Sequence, residues 1–111
     1  MTDILNHDTL GSLRELGDEF FKELIPVFLE SSQNQIELLR QGVLERNKAN
    51  IEATAHSLKG ASYGQGAQEL AEICGKMEEG GREGDLAEMD ELMTRLEKSY
   101  QLTVSALKKL L

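Results

Sequence analysis

The longest periodic stretch of the chain runs from Asp18 to Val43 and reads DEFFKELIPVFLESSQNQIELLRQGV. Its apolar positions recur every three or four residues, and at about 100° per residue they occupy one sector of roughly 120°. The pattern predicts a long helix with an N-cap at Asp18 and a bend near Pro26, because an internal proline removes one backbone hydrogen bond. The predicted buried stripe consists of Phe21, Leu24, Ile25, Phe28, Ser32, Ile36, Leu39 and Val43.

The chain on either side of this stretch carries the same helical period. Before it, Leu10, Leu13 and Leu16 predict a short first helix that ends at Gly17. After it, Asn47 is a suitable N-cap for a third helix. The predicted buried face of that third helix consists of Ile51, Thr54, Ala55, Leu58 and Ser62.

Two further helices complete the pattern. The fourth is expected to end at Gly80-Gly81, and Asp85 with Glu88 resembles a capping box that opens the last. Because the connections are short, sequential helices are expected to pack antiparallel. The sequence therefore predicts an all-α fold, an antiparallel four-helix bundle with a short additional N-terminal helix. The predicted stripes are Ala67, Leu70, Ala71, Cys74 and Met77, then Met89, Leu92, Met93, Leu96, Tyr100, Val104, Leu107 and Leu111.

Length, composition and net charge limit the classes of protein to which the chain can belong. A length of 111 residues with 40% hydrophobic residues predicts one domain over 1–111. The net charge of −8 disfavours nucleic acid and anionic membranes. No apolar run approaches the ~20 residues of a membrane span, and Met1-Thr2-Asp3 lacks the basic start of a signal peptide. With one cysteine, which suits a reducing compartment, we expect a cytoplasmic monomer that contacts neither nucleic acid nor membrane.

The candidate chemistry lies in the stretch AHSLKGAS, from Ala55 to Ser62. On a helical projection His56 lies about 140° and Gly60 about 180° from the buried stripe, so both face solvent. Lys59, one turn from His56, can hold an anion against the imidazole. Glycine inside a helix costs about 1 kcal/mol relative to alanine, and its missing side chain allows another molecule to approach. The pattern predicts an accessible nucleophile, although an incidental surface histidine is the simpler alternative.

The sequence resembles the histidine-containing phosphotransfer (HPt) domains of bacterial phosphorelays. The resemblance rests on the pattern His-x-x-Lys-Gly-small-small, which runs here from His56 to Ser62. It implies that His56 is the residue phosphorylated, that Lys59 steadies the phosphoryl group, and that Gly60 leaves room for the partner. Further positions with the family spacing are Leu13-Arg14-Glu15-Leu16-Gly17, Glu19-Phe20, Phe28-Leu29-Glu30, Gly66-Ala67, Leu70, Cys74 and Glu78.

One segment departs from the family pattern. Tyr63-Gly64-Gln65 stands where small residues or Asn, and an apolar residue, are more usual. Gln65 falls on the core-facing side of the projection, so the third helix is expected to unwind early.

The resemblance also implies a function. His56 would accept a phosphoryl group from the aspartyl phosphate of a receiver domain and pass it to a second receiver, as a phosphocarrier and not as an enzyme. The implied partners are response-regulator receiver domains and a hybrid sensor histidine kinase. No cofactor or metal is expected on this chain, and the Mg²⁺ that the transfer needs is expected on the receiver. Glu52, Tyr63 and Gly64 are candidates for the rim of the docking surface.

Two other classes of protein remain open. A histidine kinase dimerisation domain also displays a phosphoacceptor histidine on a bundle, but an acidic residue usually follows that histidine, whereas Ser57 follows His56 here. A helical adaptor without catalysis, or a hydrolase with His56 as general base, is the second alternative. For the hydrolase, Glu52 is the one carboxylate expected on the same face. His7 is expected to precede the first helix as a surface or capping residue, and Cys74 to be an inert core residue.

Overall fold

The structure, a computed structural model, describes residues 4–15 and 17–111, with the backbone alone at Leu13 and Arg14. Within these residues the chain forms five helices and no strand, which confirms the predicted all-α fold. No helix in the described part is long and apolar enough to cross a membrane. The helices are α1 (His7–Arg14), α2 (Asp18–Leu44), α3 (Lys48–Gly64), α4 (Gln68–Glu83) and α5 (Met89–Lys108).

Polar contacts between helices show that the four long helices pack antiparallel. Ser32 Oγ in α2 lies 2.9 Å from Tyr100 Oη in α5, and Arg46, just after α2, binds Asp90 near the start of α5 at 2.7 Å. Gln35 Nε2 in α2 donates to Ser57 Oγ in α3 at 2.9 Å. Helix α4 packs against both α3 and α5, so the four long helices form a closed bundle, as expected.

The predicted core stripes are largely confirmed. In α2 every predicted position is buried except Leu24, which is half-buried. In α5 the stripe is correct from Met89 to Tyr100, but Val104 is half-buried and Leu111 is exposed. Thr103 is buried in that region instead, where its hydroxyl donates to the Ser99 carbonyl at 2.8 Å.

The starts of α2 and α3 show how local chemistry sets helix ends. Asn47 caps α3 as predicted, because its side-chain oxygen accepts from the Asn50 N–H at 3.1 Å. The N-cap of α2 is Gly17 and not Asp18. Asp18 lies in the first turn, where its negative charge interacts favourably with the helix dipole. Helix α2 continues through Pro26, and the bend expected there stays a prediction.

The predicted end of α4 at Gly80-Gly81 is wrong. The helix continues to Glu83 and ends at Gly84, whose φ of +75° is the left-handed conformation typical of a helix C-cap. Gly81 is required by packing: a Cβ there would lie 2.9 Å from the Glu52 backbone nitrogen. Both glycines are therefore interior residues of α4: Gly81 lies at its contact with α3, and Gly80 faces Asp85 and Met89.

The predicted capping box is also wrong. Helix α5 begins at Met89, and its N-cap, Glu88, makes no side-chain capping hydrogen bond. The Asp85 carboxylate instead accepts from the Ala87 N–H at 3.2 Å, within the turn that precedes the helix. Here the short-range pattern matched a turn and not a helix start.

Helix α1 packs at the end of the bundle where α3 meets α4. Asn6 caps it by accepting from the Thr9 N–H at 3.0 Å, and the Asn6 N–H donates to the Gly66 carbonyl at 2.6 Å. His7 is the first residue of α1, is exposed, and does not precede the helix as expected. Leu10 is buried. The Leu13 side chain, Leu16 and Met1-Thr2-Asp3 lie outside the described residues.

The junction of α3 and α4 differs from the expectation in one respect. Gln65 is buried, as predicted, but α3 remains helical through Tyr63 and Gly64, so the expected early unwinding is wrong. Gly66 then turns the chain with φ of +76°, a conformation that favours glycine. The third helix therefore keeps its full length on both sides of His56.

Candidate functional site

His56 lies on the exposed face of α3, as predicted. Its side chain is 68% exposed, although its Nδ1 atom lies 2.7 Å from Oε2 of Glu78 in α4. A carboxylate only accepts hydrogen bonds, so Nδ1 carries the proton and donates it. In the neutral imidazole the other ring nitrogen, Nε2, then carries the free lone pair. This is the tautomer that a nucleophilic imidazole needs.

Glu78 is the centre of the site. Its side chain is 7% exposed, and it accepts from three groups on two helices. Besides His56, the Lys59 ammonium donates to Oε1 at 2.6 Å, and the Arg82 guanidinium donates to Oε2 at 3.2 Å. A buried carboxylate is tolerated when it is paired and hydrogen-bonded, and these three donors meet that condition.

The position of Glu78 follows from the helical period of α4. Ala71, Cys74 and Glu78 are spaced by three and four residues, which places the glutamate on the buried face. Gly75 faces the Lys59 stem, where a Cβ would lie 3.6 Å from Lys59 Cδ, an ordinary van der Waals contact. In the sequence, Glu78 has the family spacing but no role was predicted for it. A glutamate inside an apolar stripe was the available signal.

Hydrogen bonding fixes the ionisation state of Glu78. Donation by Lys59 lowers the pKa of Glu78 below its ordinary value of 4.5; burial opposes this effect and the His56 hydrogen bond adds to it. The carboxylate is therefore ionised at neutral pH. A fixed negative charge beside Nδ1 holds the ring in one tautomer and stabilises any positive charge that develops on the imidazole.

The surface above His56 is open. A Cβ at Gly60 or at Gly64 would meet no atom within 4 Å, and both glycines are exposed. Tyr63 is about half exposed, in the same part of α3. Glu52, the third rim candidate, binds the Arg82 guanidinium at 3.1 Å. The carboxylate that orients His56 is thus Glu78 and not Glu52, which corrects the expectation from helical projection.

The remaining candidate residues stay outside the site. Cys74 is fully buried in the core, as expected, and burial raises its pKa to about 12, which suppresses thiolate chemistry. His7 lies in α1, at the first residue of the chain's first helix. Among residues 4–15 and 17–111, no three His, Cys, Asp or Glu side chains are grouped to hold a metal ion.

The Glu78 carboxylate gives a pH-dependent prediction. Because folding lowers its pKa, the charged carboxylate contributes stability above pH 4.5, and that contribution is lost as the pH falls through the lower, folded-state pKa. We expect Glu78→Gln to reduce the free energy of unfolding at neutral pH and to approach the wild type in stronger acid. Urea denaturation at successive pH values measures this difference. Glu79→Gln, at an exposed neighbour, is the control, and a gap between wild type and Glu78→Gln that persists unchanged in acid contradicts the assignment.

Comparison with known proteins defines the class to which the chain belongs. The family model described as Hpt domain matches residues 23–106, which include every residue of the site. The chain belongs to the Hpt domain family, the histidine-containing phosphotransfer proteins of phosphorelays. Members of this family act as phosphocarriers that exchange phosphoryl groups with receiver domains and histidine kinases.

A similar solved structure is also that of a histidine-containing phosphotransfer protein. The chain is similar to histidine-containing phosphotransfer protein B (HptB) from Pseudomonas aeruginosa PAO1, with a TM-score of 0.93 and 27% sequence identity. The match covers 98% of this chain and 95% of that one. A comparison with curated proteins finds no match. Fold and family together favour a phosphotransfer protein over a kinase dimerisation domain or an adaptor.

Proposed function

We propose that this protein is a phosphorelay intermediate that accepts a phosphoryl group on His56 from one receiver aspartate and donates it to another. The observation that carries the proposal is an exposed imidazole whose inner nitrogen is held by a buried, ionised carboxylate, His56 Nδ1 on Glu78 at 2.7 Å. That arrangement leaves the Nε2 lone pair directed away from Glu78 and available to a partner.

The transfer step needs no proton movement. The Nε2 lone pair of His56 attacks the phosphorus of the aspartyl phosphate, a P–N bond forms, and the P–O bond to the aspartate breaks. The aspartate leaves as a carboxylate with the bonding electron pair. The Nδ1 proton stays between His56 and Glu78, so the phosphorylated ring is an imidazolium beside a carboxylate. Donation to the second receiver reverses these bonds.

The neighbouring residues supply charge and space. Lys59 lies one turn from His56 on the same face, and its ammonium is within reach of a group on the ring; we assign it to steady the phosphoryl oxygens. Gly60 leaves room for the receiver's active site, and Glu52, Tyr63 and Gly64 form the rim. The Mg²⁺ that transfer needs is supplied by the receiver, so this chain acts through positioning and charge.

The partners follow from this chemistry. A hybrid sensor histidine kinase with a receiver domain would supply the phosphoryl group, and a response regulator would consume it. We place the protein in the cytoplasm as a monomer of one domain, carrying phosphate without turnover of its own.

A panel of phosphorylated receiver domains tests the proposal. Purified protein is mixed with each receiver and Mg²⁺, and phosphate on this chain is followed over time. We expect at least one receiver to lose its phosphate to His56 and a second, unphosphorylated receiver to take it up. Absence of transfer from every receiver, with the donors proven active on a known HPt domain, would contradict the relay role.

The space above Gly60 gives a separate prediction. Gly60→Gln should retain the helical circular dichroism signal, because no atom lies within 4 Å of a Cβ there. It should lose most of its transfer from a receiver, because the added side chain occupies the docking space. Phosphoramidate, a small donor, should be affected less. Ala49→Gln, at an exposed position of α3 two turns from His56, is the control. Wild-type transfer by Gly60→Gln would show that nothing large docks there.

A further inference from the structure

Arg82 is a charged residue of the site that the transfer step does not use. Its side chain is 58% exposed and lies near the end of α4. Its Nε donates to Glu52 on α3 at 3.1 Å, and its Nη2 donates to Glu78 on its own helix at 3.2 Å. One planar guanidinium thus joins a carboxylate of α3 to the carboxylate that orients His56.

The backbone fixes this arginine in place. Gly81, the preceding residue, packs so closely on α3 that a Cβ would lie 2.9 Å from the Glu52 nitrogen and 3.0 Å from the Lys48 carbonyl oxygen. The main chain that carries Arg82 therefore sits directly against the main chain that carries Glu52. Because the two backbones are in contact, the Arg82 side chain needs to span only a short distance to Glu52. Its Nε binds Glu52, and its Nη2 remains available to Glu78.

Within the described residues, Lys59 has a single carboxylate partner. Its ammonium donates to Oε1 of Glu78 at 2.6 Å, whereas Arg82 binds both Glu78 and Glu52. Lys59 is also the cation that the proposed function assigns to the phosphoryl group. If its ammonium turns to phosphoryl oxygens, Oε1 of Glu78 loses its donor, and a buried carboxylate without a cation is costly.

We propose that Arg82 is a positioning residue, which holds the Glu78 carboxylate on His56 Nδ1 while Lys59 turns to the phosphoryl group. Arg82 and Lys59 then have different roles. Arg82 stays on Glu78 throughout, whereas Lys59 moves between Glu78 and the phosphoryl oxygens. This inference rests on the proposed function for the phosphorylated state, but the hold of Arg82 on Glu78 exists without phosphate and can be measured alone.

The experiment is a double-mutant cycle read by NMR of the His56 ring nitrogens. Either Lys59→Ala or Arg82→Ala alone leaves one cation on Glu78, so the Nδ1–H tautomer should persist. The double variant removes both, and the preference for Nδ1–H should be lost. The matched control is Lys59→Ala with Arg40→Ala, which removes the same charge. Arg40 also binds two carboxylates, Glu37 and Glu97, but on the α2–α5 side of the bundle.

A kinetic measurement completes the test. Arg82→Ala should slow transfer from a receiver by about three- to tenfold, the size of a charge-assisted contact at a partly exposed site. Arg82→Lys should restore part of that loss, because it retains a cation near Glu78. A double variant with the wild-type tautomer, or Arg82→Ala with the wild-type transfer rate, would overturn the inference. Failure of the relay itself appears instead as absence of transfer to the wild type, while the tautomer result still reports on Arg82.

Discussion

His56→Gln is expected to abolish phosphorylation of this protein completely. The substitution removes the Nε2 lone pair that attacks phosphorus, and the glutamine side chain offers no comparable nucleophile in its place. The fold should persist, because the side chain is 68% exposed and Glu78 keeps its bonds to Lys59 and Arg82. Phosphate uptake from a receiver and circular dichroism measure the two outcomes.

The control for this variant is His7→Gln, which changes the other histidine of the chain and should be phosphorylated like the wild type. The label on the wild type should be labile in acid and stable in base, as expected for a phosphoramidate. An acid-stable label would indicate a serine ester, with Ser57 as the nearest candidate. Phosphate retained by His56→Gln would show that His56 is not the acceptor.

Gly81→Ala is expected to cause the largest loss of stability among single-methyl changes at the site. A Cβ at position 81 would lie 2.9 Å and 3.0 Å from backbone atoms of α3, which cannot rotate away as a side chain can. Overpacking of this kind costs about 1–3 kcal/mol, and because the clash is with backbone atoms we expect a cost above the gain of about 1 kcal/mol in helix propensity. The displaced α4 should also carry Glu78 away from His56 and slow phosphoryl transfer.

Gly60→Ala is the matched control, since it adds the same methyl group to a helical glycine with no atom within 4 Å of the new Cβ. It should raise the free energy of unfolding by up to about 1 kcal/mol. Urea denaturation of the two variants should therefore show shifts of opposite sign. Equal stability of Gly81→Ala and the wild type would mean that α3 and α4 separate without loss, contrary to the packing described.

Sequence periodicity was sufficient to predict the bundle because burial in this fold follows the helical period closely. Phe21, Ile25, Phe28, Ile36 and Leu39 occupy one face of α2, and all five are buried. The Asn47 cap was also predictable, because it depends on residues within one turn. Both features are decided by local spacing, which a sequence displays directly.

The helix ends between α4 and α5 could not be predicted in the same way. Gly80-Gly81 has the composition of a helix terminus, yet Gly81 is kept by its contact with a distant segment, the start of α3. Asp85 and Glu88 match a capping box by spacing alone, but the Asp85 carboxylate bonds to Ala87 inside the turn. In both cases a tertiary contact or a competing local turn decides the structure.

The features of the site also differ in whether the sequence could predict them. The exposure of His56 and the open space at Gly60 follow from the phase of a single helix and were predicted. The bond from His56 to Glu78, and the bridge from Arg82 to Glu52, join residues of two helices at sequence separations of 22 and 30. Helical projection places residues on a face but does not say which face of α4 meets α3. Helical projection therefore pointed to Glu52 as the carboxylate beside His56, whereas Glu78 forms the hydrogen bond to its ring.

The carboxylate that orients His56 belongs to this chain and is buried beneath the ring, not at the surface. An approaching receiver thus meets a nucleophile whose orientation is already determined, and docking requires little rearrangement of the acceptor. On the proposed function, intrinsic reactivity and partner choice depend on different residues. Substitutions at the periphery, around Tyr63 and Gly64, should redirect the protein among receivers while its reactivity toward a small phosphodonor stays constant. A relay built this way can acquire a new partner without rebuilding its chemistry.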